Sequence, residues 1–298
     1  MSAALLGCYD SFKKQALREN AVIPVLFLNT LFCSLIFLPF ILFSGMTDVL
    51  EGSVFQVTSG GWEVHKYVVL KALIVLSSWI LGYFGMKHLP LTIVGPINAT
   101  RPVMVLLGAL MVFGERLNGW QWLGVLLAVV SFLMLSRSGK KEGIDFKHDH
   151  WIWMIVGAAA LGAVSGLYDK YLMAPVESGG VGLNRMLVQS WYNIYQCGMM
   201  LVLLVLLWWP KHRETTPFHW HWSIVFVSLF LSLADFVYFY SLSLPDAMIS
   251  IVSMIRRGSV VVSFLFGAAF FHEKNLKAKA FDLALVLLGM VFLYIGSK

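Results

Sequence analysis

The chain has 298 residues, of which 59% are hydrophobic and 13% are charged, and its formal net charge is +6. A soluble domain is about half apolar and about a quarter charged, so in water this chain would expose too much apolar surface. The composition therefore excludes a soluble globular protein and predicts one whose apolar surface is solvated by a lipid bilayer.

Apolar runs of about 17 to 25 residues, the length of a membrane-spanning helix, recur along the chain. The first run, from Ser2 to about Leu17, is short and contains Asp10, Lys13 and Lys14. The later runs cover residues 22–43, 67–86, 91–113, 120–136, 151–173, 189–209, 222–242, 247–271 and 278–296. The pattern predicts an all-α membrane protein with ten transmembrane helices.

Short motifs occur once in each half of the chain, in the same order and 155 to 159 residues apart. The matched motifs are Tyr9-Asp10 with Tyr168-Asp169, Leu89-Pro90 with Leu244-Pro245, Arg101 with Arg256, and Glu115 with Glu273. They predict two five-helix repeats, residues 1–137 and 151–298, joined by a charged linker loop of residues 138–150. Because five is odd, the second repeat is inverted in the membrane, as in many secondary transporters.

The basic residues concentrate in alternate loops between the predicted helices. The loop between the two repeats holds Arg137, Lys140, Lys141 and Lys147. The positive-inside rule places such loops in the cytoplasm and both chain termini outside. This bias accounts for the positive net charge, so no nucleic-acid partner is predicted.

The ten-helix count, the two repeats and Gly114-Glu115-Arg116-Leu117 before an apolar helix with Gly124 resemble the drug/metabolite transporter superfamily, EamA type. The resemblance covers essentially the whole chain. It implies a multi-pass protein of a bacterial inner (plasma) membrane that transports amino acids, sugars, nucleotide sugars, purines or drugs. A proton or an exchanged solute commonly drives such transport. The resemblance also implies cytoplasmic termini, so the sequence leaves both orientations open.

Ionisable groups inside hydrocarbon cost at least about 2.5 to 3.5 kcal/mol each, which makes them candidates for function. Arg101 lies about ten residues into the fourth predicted helix, and Arg256 lies similarly in the ninth. We predict a central cavity where arginines hold an anionic group and a carboxylate takes the coupling proton. The candidate cavity residues are Tyr9, Asp10, Asn98, Arg101, Tyr168, Asp169, Asp235 and Arg256.

Other interpretations of these polar residues remain open. Asp235 and Arg256 are also placed to form an internal ion pair that only holds helices together. The amine of Lys13 is expected to extend to the membrane interface. Trp191 and Tyr192 fit an interfacial aromatic belt better than a surface that stacks a substrate ring.

Pro96 and Pro102 bracket Asn98 and Arg101 in the fourth predicted helix. A proline in a spanning helix leaves a backbone carbonyl without its helical donor, and a cavity can use that carbonyl. The fourth helix is therefore expected to line a pore, with a packing kink as the alternative. Gly162 begins a GxxxG spacing in the sixth helix, which predicts close helix contact.

The sequence contains no HExxH, no GxSxG and no phosphate-binding glycine loop, so it predicts no enzyme. Four histidines occur in loops on one side of the membrane without cysteine or glutamate at ligand spacing, namely His148, His150, His219 and His221. No metal site or cofactor is predicted. The predicted function is secondary transport of a small metabolite by alternating access. The alternative is a channel or structural protein with internal ion pairs.

Overall fold

The computed structural model describes residues 1–113, 118–140, 146–244, 249–270 and 276–296. Within these ranges the regular secondary structure is helical, and no strand is present. Several residues of the predicted repeat motifs lie outside the described residues, namely Glu115, Pro245 and Glu273.

The described ranges contain twelve α-helices. They are α1 (Ser2–Leu17), α2 (Val22–Met46), α3 (Trp62–His88), α4 (Leu91–Ala99), α5 (Arg101–Phe113), α6 (Gly119–Lys140), α7 (His150–Met173), α8 (Arg185–Leu203), α9 (Ser223–Leu242), α10 (Ile249–Arg257), α11 (Ser259–Phe270) and α12 (Leu276–Gly296). Two predicted helices are each divided into two. The fourth is interrupted at Thr100, and the ninth is interrupted at Gly258.

Side chains form hydrogen bonds with backbone groups at the start of α7 and at the end of α3. The carboxylate of Asp149 accepts the backbone N–H of Trp151 at 2.9 Å and caps the start of α7. The Lys14 amine donates to the carbonyls of Met86 and Leu89 at 2.7 and 2.6 Å, at the end of α3. A cation there also opposes the partial negative charge of the helix C-terminus.

Seven described helical segments are long and apolar enough to cross a membrane. They are Val22–Met46, Trp62–His88, Leu91–Gly108, His150–Met173, Arg185–Lys211, Ser223–Leu242 and Lys279–Gly296. The prediction of an all-α, multi-pass membrane protein is therefore confirmed, whereas the count of ten spans stays a prediction. α1 falls outside the seven because it has only 16 residues and carries Asp10, Lys13 and Lys14.

The helices pack mainly across the two halves of the chain. α3 packs on α7, α1 on α9, α2 on α8, α4 on α11 and α6 on α12. At the last of these contacts, a Cβ on Gly124 would lie 2.7 Å from the carbonyl oxygen of Gly289. The two backbones can therefore approach closely only because both positions lack a side chain. The large apolar residues that remain exposed on the outer helix faces suit contact with lipid.

Candidate functional site

A polar cavity of about 130 Å³ lies between α1, α3, α4, α5, α7, α8, α9 and α10. Its ionisable lining residues, tyrosines aside, are Asp10, Lys13, Lys71, Arg101, Asp169, Asp235, Arg256 and Arg257. Five cations against three carboxylates give this lining a formal charge of +2. Such a concentration of charge among apolar helices is costly, and in membrane proteins it usually marks a solute or ion pathway.

Asp235 connects three helices at one wall of the cavity. The Arg256 guanidinium donates to one of its carboxylate oxygens in an ion pair, and the Tyr192 hydroxyl donates to the other at 2.8 Å. The Arg256 guanidinium also lies 4.2 Å from the centre of the Tyr238 ring, where a cation is attracted to the ring face. The internal ion pair that the sequence left open is present, and it lines the cavity.

A second buried ion pair joins α3 to α7. The Lys71 amine donates to the carboxylate of Asp169, and both side chains are at most 5% exposed. The Tyr238 hydroxyl donates to the other carboxylate oxygen of Asp169 at 3.3 Å. The Lys71 amine lies 5.1 Å from the centre of the Tyr192 ring. The two ion pairs therefore belong to one network that crosses the cavity wall.

Asp10 and Lys13 form the third ion pair, at 3.0 Å within α1. The Lys13 amine also lies 4.3 Å from the centre of the Tyr9 ring, and the Ser263 hydroxyl of α11 donates to Asp10 at 3.5 Å. Lys13 is 7% exposed and lines the cavity. The prediction that its amine extends to the membrane interface is wrong, because the cavity supplies a nearer carboxylate.

Arg101 and Arg257 form no ion pair with a carboxylate among the residues that the structure describes. Arg101 donates to the carbonyl of Ala158 at 3.4 Å, and the Nε atoms of both arginines are buried without a hydrogen-bond partner. The Arg101 guanidinium lies against the backbone of α7, where a Cβ on Gly162 would be 2.6 Å from its Cζ atom. These two guanidinium groups therefore retain hydrogen-bonding capacity at the cavity.

Both arginines sit next to a helix interruption. Arg101 is the first residue of α5 after the break at Thr100, and Arg257 is the last residue of α10 before the break at Gly258. Pro102 contributes to the first break because it has no N–H to donate to the carbonyl four residues earlier. The start of α5 carries a partial positive charge, so it adds to the positive potential around Arg101.

The lining includes most of the candidate residues from the sequence. Seven of the eight line the cavity, namely Tyr9, Asp10, Asn98, Arg101, Asp169, Asp235 and Arg256. The exception is Tyr168, whose hydroxyl donates to the carbonyl of Tyr67 at 3.3 Å and whose ring stacks on Tyr171. Tyr168 therefore lies outside the cavity, although it precedes Asp169 as Tyr9 precedes Asp10.

Other lining residues were not among the sequence candidates, and Lys71, Tyr192 and Tyr238 are those that take part in the ion-pair network. Lys71 is an ionisable group within a predicted span, but it is only the fifth residue of the run 67–86, so the depth argument used for Arg101 did not select it. Tyr192 is 3% exposed, so the prediction that it belongs to an interfacial belt is wrong. Tyr238 gave no comparable signal, because an aromatic residue in an apolar helix usually packs in the core.

At the GxxxG motif, Gly166 has no atom within 4 Å of a Cβ position, so the predicted close contact does not occur there.

No group of three or more potential metal ligands that could hold an ion occurs within the described ranges. Oxygen and guanidinium groups dominate the cavity, and they suit recognition of an organic solute or an oxyanion through hydrogen bonds.

A helical, multi-pass fold with a charged central cavity is the class of structure found in secondary transporters. The model of the EamA-like transporter family matches residues 1–137 and 149–295, so the chain belongs to this family of membrane transporters. The resemblance deduced from the sequence is thereby confirmed.

No curated protein matches the chain. Among solved structures, one described as a crystal structure of a protein superposes with a TM-score of 0.67 and is 13% identical in sequence. The match covers 99% of this chain and 95% of the other chain. At this identity the likeness shows the fold alone.

Proposed function

We propose that the protein is a secondary transporter that moves a small metabolite across the membrane by alternating access. The observation that carries this proposal is the charged cavity enclosed by helices of both halves of the chain. Secondary transporters bind their solutes near the middle of the membrane, between repeats, at sites formed by interrupted helices. The interruptions at Thr100 and Gly258, each beside a cavity arginine, fit this description.

We also propose that the chain consists of two inverted repeats of five spans, residues 1–137 and 151–298. The pattern of helix contacts supports this division, because its main contacts recur when the halves are exchanged. The contact of α3 with α7 corresponds to that of α9 with α1, and the contact of α1 with α11 corresponds to that of α7 with α5. The two interrupted helices correspond to each other in the same way.

The excess of positive charge in the lining supports an anionic substrate, because an anion would neutralise cations that are expensive to keep in hydrocarbon. A carboxylate of the same cavity is the proposed site of the coupling proton. The alternative, a channel or structural protein, is supported by the two ion pairs between different helices, since such pairs also hold helices together.

Counterflow separates these functions. Purified protein in liposomes would be loaded with one unlabelled solute at a time, chosen from amino acids, sugars and small organic anions, and diluted into the labelled solute. A carrier accumulates label above the external concentration for a limited time. A channel gives equilibration without accumulation. If no solute moves, the protein is not the transporter proposed here.

A further inference from the structure

Two of the five cavity cations form no ion pair with a carboxylate among the described residues. Lys13, Lys71 and Arg256 are each held by one carboxylate, whereas Arg101 and Arg257 are not. Arg257 interacts electrostatically with Arg101, Arg256 and Asp10. The two unpaired guanidinium groups therefore face the same region of the lining, and their like charges repel each other in a low-dielectric surrounding.

The surroundings of Arg101 hold its guanidinium in place. One side lies against the backbone of α7 at Gly162, and the Nη2 atom donates to the carbonyl of Ala158. The Nε atom remains buried without a partner, and so does the Nε atom of Arg257. A guanidinium fixed in this way is preorganised for an oxyanion, whose oxygens accept from the Nε and Nη edge of arginine.

We propose that the substrate presents a doubly charged oxyanion to Arg101 and Arg257. A monoanion would neutralise one of these two guanidinium groups and leave the other without a counter-charge. A group with two negative charges neutralises both, and it brings the formal charge of the lining from +2 to zero. This inference rests on the proposed transport function, which it narrows from small metabolites to dianions such as phosphate monoesters and dicarboxylates.

Anion-dependent thermal unfolding of the purified full-length protein tests the inference. The probes are methyl phosphate, sulfate and succinate as dianions at pH 8, and acetate, nitrate and chloride as monoanions, all at one ionic strength. The dianions should raise the midpoint of unfolding in a saturable manner, and the monoanions should not. Succinate distinguishes a dicarboxylate site from a site for a single doubly charged group.

The charge of one probe can be changed without changing its shape. A phosphate monoester loses its second proton near pH 6, so methyl phosphate is a monoanion at pH 5 and a dianion at pH 8. The affinity of the protein for methyl phosphate should therefore rise at least roughly tenfold from pH 5 to pH 8. The rise is measured relative to the affinity for sulfate, which is doubly charged at both pH values.

Two variants assign the effect to the arginines. Arg101→Gln and Arg257→Gln should each weaken binding of the dianion by roughly 10- to 100-fold, the effect of losing one charged hydrogen-bond donor. Lys211→Gln, at the exposed end of the short 3-10 helix Trp209–Lys211, removes one positive charge elsewhere and should leave the affinity unchanged. Each variant is compared with itself in the absence of the anion, so a loss of stability does not obscure the result.

Equal stabilisation by monoanions, no stabilisation by any dianion, or an undiminished dianion effect in both arginine variants would overturn the inference. Counterflow is measured separately. Counterflow of an uncharged solute together with no binding of dianions contradicts this inference alone. Saturable binding of dianions without counterflow of any solute contradicts the transport function while the binding site stands.

Discussion

Arg101 is a cavity cation without an ion pair among the described residues, it lies at a helix interruption, and it packs against Gly162. It is expected to contact the substrate, so Arg101→Ala should lower transport by roughly 100-fold or more, as expected for the loss of two charged hydrogen bonds. Arg101→Lys should recover little, because an ammonium group lacks the planar fork of donors. The measurement is counterflow into liposomes containing equal amounts of protein.

Arg18→Ala provides the matched control, because Arg18 is exposed at the end of α1. Its removal should leave transport intact. Normal transport by Arg101→Ala would mean that Arg101 does not contact the substrate, and the argument for an anionic substrate would lose its main support.

Gly162 determines where the Arg101 guanidinium can lie. The side chain of Gly162→Ala would be 2.6 Å from the Cζ atom, so the guanidinium must move away from α7. We expect at least a roughly tenfold fall in apparent affinity, because a charged hydrogen bond is sensitive to such a displacement.

Gly198→Ala in α8 is the control for this substitution. No atom lies within 4 Å of a Cβ position there, so only the helix-stabilising effect of alanine, up to about 1 kcal/mol, should remain. If both variants bind alike, the contact between Gly162 and Arg101 has no bearing on affinity.

The sequence identifies single charged residues at the site better than their partners. The depth of Arg101 in an apolar run is a property of that run alone, and it was sufficient to predict a place in a cavity. The pairing of Lys71 with Asp169 depends on α3 lying beside α7, which no local pattern specifies. Tyr192 was assigned to the membrane interface from its residue type alone. Its hydroxyl partner, Asp235, lies 43 residues away on another helix, and no local pattern specifies that contact.

The interruption between α4 and α5 can be tested as an element. Pro102→Ala restores an N–H that can donate to the carbonyl four residues earlier and so favours a continuous helix. A continuous helix would reorient the start of α5 and Arg101 with it. We expect transport to fall severalfold while the thermal midpoint stays equal or rises, because an alanine replaces a helix-breaking residue.

Pro39→Ala in α2 is matched to this variant, since Pro39 also lies inside a helix but is exposed and distant from the cavity lining. It should raise stability without lowering transport. Unchanged transport by Pro102→Ala would show that the interruption is only a packing kink.

Apolar runs located the helices well, because burial in lipid requires long stretches of apolar residues whatever their neighbours. They did not predict the interruptions at Thr100 and Gly258. Pro96 and Pro102 gave a signal for the first, but prolines are tolerated in spanning helices without a full break. The second contains only a glycine, and a glycine within a helical pattern is common.

At the scale of the whole molecule, the two ends of the bundle are distinguishable. Asn20 bonds to His219, so the start of α2 and the loop that contains Glu214 lie at one end. The loop that follows α2, with Ser59, lies at the other. The end with Glu214 carries the basic loops and is predicted to be cytoplasmic by the positive-inside rule.

Cysteine labelling measures this orientation. In a background without Cys8, Cys33 and Cys197, Ser59→Cys should react with an impermeant maleimide in intact cells, because Ser59 is exposed. Glu214→Cys should react only after permeabilisation. The reverse pattern would place both termini in the cytoplasm, as the family resemblance implies.

The packing of α6 on α12 has a consequence for synthesis of the chain. Gly124 and Gly289, which bring these helices into backbone contact, are 165 residues apart. At about 5 to 20 residues per second, the ribosome delivers the second glycine roughly 8 to 30 s after the first. For that interval α6 lacks its main neighbour. The helices α3, α2 and α1 gain theirs earlier, because α7, α8 and α9 precede α12 in the chain. Translational pausing in the second half therefore prolongs the stage at which α6 is accessible to membrane proteases and insertion chaperones.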